Sequence, residues 1–499
     1  MINRKQLYFA TVFLLVFALP EALNSLQGKT IFIPSPHHTT IQSAIDYSQT
    51  GDTVLVAPGI YYENLNYKGK GILVASHFIL ELDSSMIEKT IIDGSRFTIH
   101  AEASVVRFIS GEASNSVIQG FTLRNGRGIY ADEIWLGGGV SCYLSAPKII
   151  NNRIEGSEAH FGGGIGCYYG NSEPKIISNL IFNNQAVVGA GVYSKRAHPL
   201  ISGNTIIQNT SSYRGGGIFV KLCSPRIKDN LVIQNSAAVH GGGIYALAVF
   251  GEIAGNLIKE NRAESDGGGI YTSSESSIEI SGNIIESNYS NSGGGIYNLY
   301  STNTISNNTI IANRSADGSG GILCAGTPSY LPEIIDNIFY LNLVAIKCRD
   351  GCLPCISYND FWGNAGGNFS CVIPGMGDTA KWVNVNGVTC DSFFNIFSDP
   401  LFSDSTYNLN CSSPCIEAGH SILLPSGRSY SDIGARDYDY LRGDVNSDGA
   451  EDISDVVFLI SYLFKSGIAS CPVMRGDINY DRQISIADIV VLIKDIFGN

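Results

Sequence analysis

The segment Asn204-Thr-Ile-Ile-Gln-Asn209, followed by Gly215-Gly-Gly-Ile218, returns 26 residues later as Asn230-Leu-Val-Ile-Gln-Asn235 and Gly241-Gly-Gly-Ile244. Related glycine-rich tetrapeptides begin at residues 137, 162, 189, 215, 241, 267, 293 and 319, with offsets of 25, 27, 26, 26, 26, 26 and 26. The paired asparagines keep the same period. A fixed period of this length is the signature of a stacked repeat architecture.

Each repeat holds short β-branched runs separated by Gly, Asn and Ser turns, which predict two or three strands. Such a unit cannot bury its own apolar face and must stack on its neighbours. Parallel stacking at about 4.8 Å would place equivalent residues above one another, so that Asn amides can bond along the stack. Glycine suits bends that need positive φ or close approach. We therefore predict a mainly β chain, a parallel β-helix solenoid with regular coils over residues 130–345.

Composition restricts the function. Of 499 residues, 45 are acidic and 32 basic, and the net charge of −13 repels phosphate backbones, so no nucleic-acid partner is expected. The 44 % apolar content argues against a disordered chain. Twelve cysteines favour an oxidising compartment.

The amino terminus is typical of an export signal. Arg4 and Lys5 precede an apolar run over residues 7–19, with small or polar residues near 22–25. We predict a signal peptide over residues 1–25, an uncleaved anchor being the alternative. No later segment has the apolar length of a membrane span, so a secreted protein, extracellular or at the cell surface, is expected.

The repeats are flanked on one side by Thr40-Ile-Gln-Ser-Ala-Ile45 and residues 51–59, and on the other by Asp399-Pro-Leu-Phe402, residues 413–419 and Asp432-Ile-Gly-Ala435. With the repeats, these segments resemble the right-handed parallel β-helix superfamily that includes pectate lyases. The resemblance implies a solenoid over residues 26–440, a capping helix near 39–49 and a cysteine-rich end at 346–440. It is specific for the fold and weak for activity.

Two acidic segments, 33 residues apart, form a separate unit at 441–499. Oxygen ligands at these spacings can wrap a hard cation that prefers 6–8 oxygens. Apolar-periodic helices are predicted after each loop, at 456–464 and 489–497. In the second loop, Arg482 stands where the turn favours glycine. The predicted Ca²⁺ ligands are Asp444, Asn446, Asp448, Ala450 through its carbonyl, Asp452 and Asp455, and then Asp477, Asn479, Asp481, Gln483, Ser485 and Asp488.

This pair of half EF-hands, an α-helical unit, resembles the dockerin domain. The resemblance implies two bound Ca²⁺ ions and a cohesin-type module as the partner.

The cysteines suggest bridges. Cys142 and Cys167 occupy equivalent repeat positions, so stacking would bring their Cα atoms to about 5 Å, within disulfide range. Eight further cysteines between residues 348 and 471 are enough for four bridges. Cys348, Cys352 and Cys355 can instead hold zinc.

Two columns are candidates for sugar chemistry. Arg214, His240 and Asp266 precede the glycines of consecutive coils, and if stacked they would form a strip capable of proton transfer, the alternative being a variable loop. The aromatic column can stack on sugars if it faces outward, or pack if it faces inward. It comprises Tyr193, Phe219, Tyr245, Tyr271 and Tyr297.

These features lead to two hypotheses. The first is an exported dockerin-bearing β-helix protein that binds or degrades an extracellular polysaccharide, as a glycoside hydrolase or polysaccharide lyase if it is an enzyme. The second is a non-catalytic, adhesin-like surface protein. No residue pattern assigns catalytic carboxylates.

Overall fold

A computed structural model describes residues 28–497 except 97–98, 171, 372, 385 and 421–429. Within these residues, the chain winds into a solenoid of four mainly parallel sheets with 13, 12, 9 and 11 strands, called sheets 1 to 4 in the order in which a coil visits them. The predicted parallel β-helix is thus confirmed. Each regular coil has four strands rather than two or three.

Sheet 1 contains Thr30–Ile33, Thr53–Val56, Leu73–Ser76, Val117–Gln119, Lys148–Ile150, Lys175–Ile177, Leu200–Ser202, Arg226–Lys228, Phe250–Ala254, Ser277–Ser281, Thr304–Ser306, Glu333–Ile335 and Cys355–Ser357. Sheet 2 contains Gly59–Tyr61, Thr90–Asp93, Thr122–Arg124, Arg153–Glu155, Leu180–Phe182, Thr205–Ile207, Leu231–Ile233, Leu257–Lys259, Ile284–Glu286, Thr309–Ile311, Ile338–Tyr340 and Asp360–Trp362.

Sheet 3 contains Ile129–Ala131, Ile134–Leu136, Glu158–Phe161, Gln185–Val188, Thr210–Arg214, Ser236–Ala237, Arg262–Ala263, Tyr289–Ser290 and Arg314–Ser315. Sheet 4 contains Leu65–Asn66, Val106–Phe108, Val140–Tyr143, Ile165–Tyr168, Val192–Lys195, Ile218–Lys221, Ile244–Leu247, Ile270–Ser273, Ile296–Leu299, Ile322–Ala325 and Ile346–Arg349. A separate hairpin pairs Trp382–Val383 with Thr389–Cys390.

The core follows from alternation along each strand. Ile201, Ile206, Ile218 and Val220 of one coil are all fully buried. Because strands of consecutive coils pair in register, Ile218 lies beside Ile244 on the next coil. The interior is therefore a stack of mainly aliphatic side chains.

Two asparagine ladders run along the corners on either side of sheet 2. In the first, the Asn230 amide nitrogen donates to the carbonyl of Ile201 at 2.8 Å and to Asn256 Oδ1 at 2.9 Å. In the second, Asn235 donates in the same way to Asn261 Oδ1 at 3.1 Å. Asn230 and Asn235 are 0–1 % exposed, so each buried amide satisfies its hydrogen bonds along the stack.

The glycine triplets form the bend before sheet 4. Gly215 has φ +67°, which favours glycine. A Cβ on Gly216 would lie 2.4 Å from the carbonyl oxygen of Ser236 and 2.5 Å from that of Gly242. Close packing of backbone on backbone therefore requires the triplet.

Helices close the solenoid and interrupt its early coils. The capping helix α1 is Ile41–Tyr47, where Thr40 accepts the backbone N–H of Ser43. Two short helices, α2 (Phe78–Glu81) and α3 (Ser85–Lys89), lie in the early coils. The predicted signal peptide lies outside the described residues. In the described part of the chain, no helix is long and apolar enough to cross a bilayer.

The carboxyl-terminal unit contains α4 (Ile453–Lys465), a 3₁₀ turn (Val473–Gly476) and α5 (Ile486–Phe497). Both helices begin three residues earlier than predicted. For α4 the reason is a capping box, in which Asp452 accepts from the first turn and Asp455 accepts the N–H of Asp452. Val456, Leu459 and Leu492 form the small core between the helices.

Candidate functional site

The predicted polar strip forms along the junction between sheets 3 and 4. Arg214 pairs in register with His240, and His240 with Asp266, on three consecutive coils. His240 Nδ1 lies 3.0 Å from Asp266 Oδ2, without the alignment of a hydrogen bond. The His240 side chain is 16 % exposed and that of Asp266 is 23 % exposed. The strip thus brings together an imidazole and a carboxylate at a distance that suits an ion pair.

Aromatic rings support this strip. The His240 ring stacks on Tyr271 with 4.8 Å between centroids, and the Arg214 guanidinium lies 4.4 Å from the ring centroid of Tyr213. Asp317, just before the glycine-rich segment that begins at residue 319, does not join the strip of Arg214, His240 and Asp266. It forms a separate network with Ser315, Ser319, Lys347 and Arg349. Burial opposes ionisation of Asp317, but hydrogen bonds from the two serines and the charge of Lys347 lower its pKa to about 2.

The aromatic column does not present a sugar platform. Its five rings, Tyr193, Phe219, Tyr245, Tyr271 and Tyr297, are 2–9 % exposed and stack on one another with centroids 4.9–5.3 Å apart. They point out from sheet 4, but residues of sheet 3 such as Val188 and Phe161 cover them. The ring faces are therefore occupied, and this corrects the sugar-stacking expectation in favour of packing.

A basic groove lies beside the strip and has no counterpart in the sequence expectations. Lys195 and Lys221 pair in register on adjacent strands of sheet 4. With Arg214, Tyr168 and Tyr213 they line a groove of about 280 Å³. Burial, together with the charges of Lys195, Arg214 and Arg196, lowers the pKa of Lys221. The sequence signal that could have revealed this groove is the spacing of Lys195 and Lys221, which are one 26-residue repeat apart and therefore stack.

The cysteines pair differently from the prediction. Cys142 and Cys167 are in-register neighbours as expected, but both are free, buried thiols, so the predicted bridge is not formed. Burial and contact with the Cys167 thiol raise the pKa of Cys142. The disulfides of the structure are Cys348–Cys371 and Cys411–Cys471.

The zinc alternative is not supported by these pairings. Cys348 is in a disulfide, Cys352 contacts the thiol of Cys324, and Cys355 is exposed. Across the described residues, no three histidine, cysteine or acidic side chains form a ready-made metal cluster.

The first acidic loop is folded around its own carboxylates. Asp444 accepts the backbone N–H groups of Asp448 at 3.0 Å and Gly449 at 3.2 Å. Asp455 accepts those of Val445 at 2.7 Å and Asn446 at 3.0 Å. The predicted ligands Asp444, Asn446, Asp448, Ala450, Asp452 and Asp455 thus share one tightly wound loop.

The second loop repeats this arrangement. Asp488 accepts the N–H groups of Ile478 at 2.9 Å, Asn479 at 3.2 Å and Ser485 at 2.8 Å. Arg482 has φ +68°, in the left-handed region where the first loop has Gly449 at +91°. The loop also contains the predicted ligands Asp477, Asp481 and Gln483.

Two arginines cross-link the loops. Arg442, just before the first loop, contacts Asp477 Oδ2 of the second at 3.1 Å, and Arg475, just before the second, contacts Asp444 Oδ2 of the first at 3.0 Å. The four side chains are 2–11 % exposed. Arg442 also pairs with Glu417 of the solenoid end, and the Cys411–Cys471 disulfide joins the same two parts.

The residues present fit Ca²⁺. Among the described residues, no partner meets hydrogen-bond geometry at the buried Asp477 Oδ1, which leaves an oxygen ligand available in the second loop. The other side chains predicted to bind Ca²⁺ in the two loops offer carboxylate, amide and hydroxyl oxygens, the ligands that a hard cation prefers. When bound, Ca²⁺ would neutralise the clustered carboxylates.

Comparisons with known proteins agree with this architecture. The profile of the right-handed β-helix region matches residues 71–251 and 239–375, and that of the type I dockerin domain matches residues 442–497. No curated protein matches the sequence significantly.

Solved structures to which the chain shows a likeness include XylC in complex with xylose, at 10 % identity and TM-score 0.42, covering 71 % of this chain and 88 % of that one. Pectate lyase Pel9A has 12 % identity and TM-score 0.42, covering 82 % and 96 %. The mannuronan C-5 epimerase AlgE4 A-module from Azotobacter vinelandii has 12 % identity and TM-score 0.33, covering 69 % and 98 %. The β-helix profile spans more than half of the chain, and the chain therefore belongs to the right-handed β-helix family and ends in a type I dockerin domain.

Proposed function

We propose that this protein is exported, that its dockerin domain attaches it to a cohesin-type module with two Ca²⁺ ions bound, and that its solenoid binds an acidic polysaccharide outside the cell. The observation that carries the sugar-binding part is the basic groove of Lys195, Lys221 and Arg214. The dockerin match supports the attachment.

The groove concentrates positive charge in an acidic protein. Like charges directly opposite each other on adjacent strands destabilise a sheet. Within the described residues, neither Lys195 nor Lys221 forms an ion pair with a carboxylate, and the pKa of Lys221 is lowered. A bound anion would remove this repulsion, so a ligand with carboxylate groups matches the groove better than a neutral one.

The aromatic residues of the groove add a second element of sugar recognition. Lys195 Nζ donates to Tyr168 Oη at 3.3 Å, and Tyr213 is 41 % exposed at the groove. An exposed aromatic ring such as Tyr213 beside cations suits a sugar that has both apolar ring faces and a negative charge. We infer that uronic-acid residues of a polysaccharide are the ligand class.

Catalysis is a second candidate function, favoured by the contact between His240 and Asp266 next to Arg214. An imidazole beside a carboxylate can act as a general base toward a sugar proton, with the arginine nearby to stabilise negative charge. If the strip is not catalytic, the same groove suits a non-catalytic, adhesin-like protein.

The binding test uses the full chain with Ca²⁺ and a panel of acidic and neutral polysaccharides. We expect affinity for acidic polysaccharide that weakens with salt and falls at least about tenfold in Lys195→Ala/Lys221→Ala, since each charged hydrogen bond contributes about 1.5–3 kcal/mol. The matched control is Lys148→Ala/Lys175→Ala, an in-register lysine pair on sheet 1. Equal losses in both pairs would overturn the proposal.

Catalysis is tested on the same panel by release of reducing or unsaturated ends. Activity that is abolished by His240→Ala would support an enzyme. Binding without turnover would favour the adhesin-like alternative. Calcium-dependent capture by a type I cohesin module tests the attachment separately.

A further inference from the structure

A second cleft lies on sheet 3, next to an antiparallel hairpin in an otherwise parallel sheet. Ile129–Ala131 and Ile134–Leu136 form the hairpin, and its turn residues Asp132 and Glu133 have φ +46° and +64°. The cleft has a volume of about 510 Å³, within the usual range for small-ligand sites.

The hairpin gives the cleft an aromatic wall. Trp135 is a half-buried lining residue and pairs in register with Tyr130, whose ring centroid lies 5.2 Å from that of the indole. The His100 ring lies nearly perpendicular to the indole, with 4.9 Å between the ring centroids. Contacts from two rings fix the indole orientation, so Trp135 is a preorganised stacking surface.

The floor and rim are suited to an uncharged, hydroxyl-rich ligand. Ala159 and Ala186, both 8 % exposed, place small apolar side chains at the floor. Gln185 and Thr210, exposed in-register neighbours, provide amide and hydroxyl groups at the rim. The charged rim residues Arg127 and Glu158 form an ion pair with each other, so their charges cancel.

We propose that this cleft binds an uncharged pyranose ring of a polysaccharide, stacked on Trp135 and hydrogen-bonded by Gln185 and Thr210. The inference rests on the proposed function in that both sites take sugars. It adds a site with different chemistry, one that is neutral and aromatic, whereas the groove of Lys195 and Lys221 is basic.

Tryptophan fluorescence can isolate this site. The chain has three tryptophans, and Trp362 and Trp382 are 41 % and 50 % exposed, so the full-length variant Trp362→Phe/Trp382→Phe retains Trp135 as the reporter. The probes are neutral gluco-, xylo- and manno-oligosaccharides. We expect a saturable change in Trp135 emission with at least one of them.

The affinity for that oligosaccharide, measured by calorimetry, should fall about tenfold or more in Trp135→Ala and less in Trp135→Phe, which retains a ring. Lys195→Ala/Lys221→Ala should leave it unchanged. Circular dichroism of Trp135→Ala checks folding, and Gln185→Ala provides a second variant that retains the wall.

The inference is overturned if none of the neutral probes alters Trp135 emission, or if a probe binds equally well to the parent and to both Trp135 variants. Loss of acidic-polysaccharide binding alone would count against the basic groove and leave this cleft standing. The two proposals therefore fail separately.

Discussion

Replacing Asn230 by alanine should be among the most damaging single substitutions in the solenoid. Asn230 is fully buried, and its side chain takes part in four ladder hydrogen bonds. It donates to the carbonyl of Ile201 and to Asn256 Oδ1, and it accepts the backbone N–H of Asn204 at 2.9 Å and the Asn204 amide at 3.0 Å.

Alanine removes all four bonds and adds no replacement. At about 1 kcal/mol for each bond, the free energy of unfolding should fall by about 4 kcal/mol. The backbone N–H of Asn204, left buried without an acceptor, lowers stability further. Gln208 provides the matched control because its side chain forms an exposed ladder bond to Gln234 at 3.2 Å. Gln208→Ala should change stability by less than about 0.5 kcal/mol.

Urea unfolding followed by circular dichroism measures both variants, with the slope checked for constancy because repeat arrays can unfold in stages. Hydrogen exchange of the coils next to residue 230 locates the change. If the free energy of unfolding of Asn230→Ala lies within about 1 kcal/mol of that of the parent, the asparagine ladder does not stabilise the solenoid as argued.

Three further predictions concern other parts of the chain. EDTA should unfold the carboxyl-terminal helices, and Asp444→Ala/Asp477→Ala should have the same effect on their circular dichroism, whereas melting curves indifferent to EDTA would contradict the calcium assignment. Burial raises the pKa of Asp360 from 3.8 to about 8. The contribution of Asp360 to the free energy of unfolding is therefore greatest below about pH 4, where its carboxyl is neutral, and this contribution is lost as the pH rises toward 8. Asp360→Asn should remove this loss in thermal melts across that range, and an unchanged pH profile would refute it. A Cβ on Gly242 would lie 2.4 Å from the carbonyl oxygen of Arg262, so Gly242→Ala should cost about 3 kcal/mol or more in urea unfolding, and a neutral effect would contradict the close packing.

The coils were predictable because every repeat contains the residues that its turns require. Asparagine recurs at the repeat position of Asn204, where the stack needs a hydrogen-bonded amide, and glycine recurs at that of Gly216, where a Cβ would not fit. The fourth strand of each coil was missed because segments such as Ser236–Ala237 are too short to show a β pattern. The hairpin with Trp135 precedes the regular coils and pairs antiparallel, so the repeat gives no signal for it.

The side-chain columns were only partly predictable. Stacking of Arg214, His240 and Asp266 followed from the period alone. Alternation along the strand places Tyr245 on the outer face and Ile244 and Ala246 on the buried face. It cannot show that sheet 3 covers the Tyr245 ring. That cover depends on how two sheets meet in space, a long-range feature that is absent from the local pattern.

The most direct test of the stacked-coil architecture is disulfide trapping between consecutive coils. Thr210 and Ser236 are in-register neighbours on sheet 3, and Ser236 pairs in turn with Arg262. In a Cys355→Ser background, Thr210→Cys/Ser236→Cys should form a bond on mild oxidation, since one coil spacing of about 4.8 Å lies within disulfide range. Thr210→Cys/Arg262→Cys, two spacings apart, should not. Peptide mapping that finds the second bond and not the first would contradict the account.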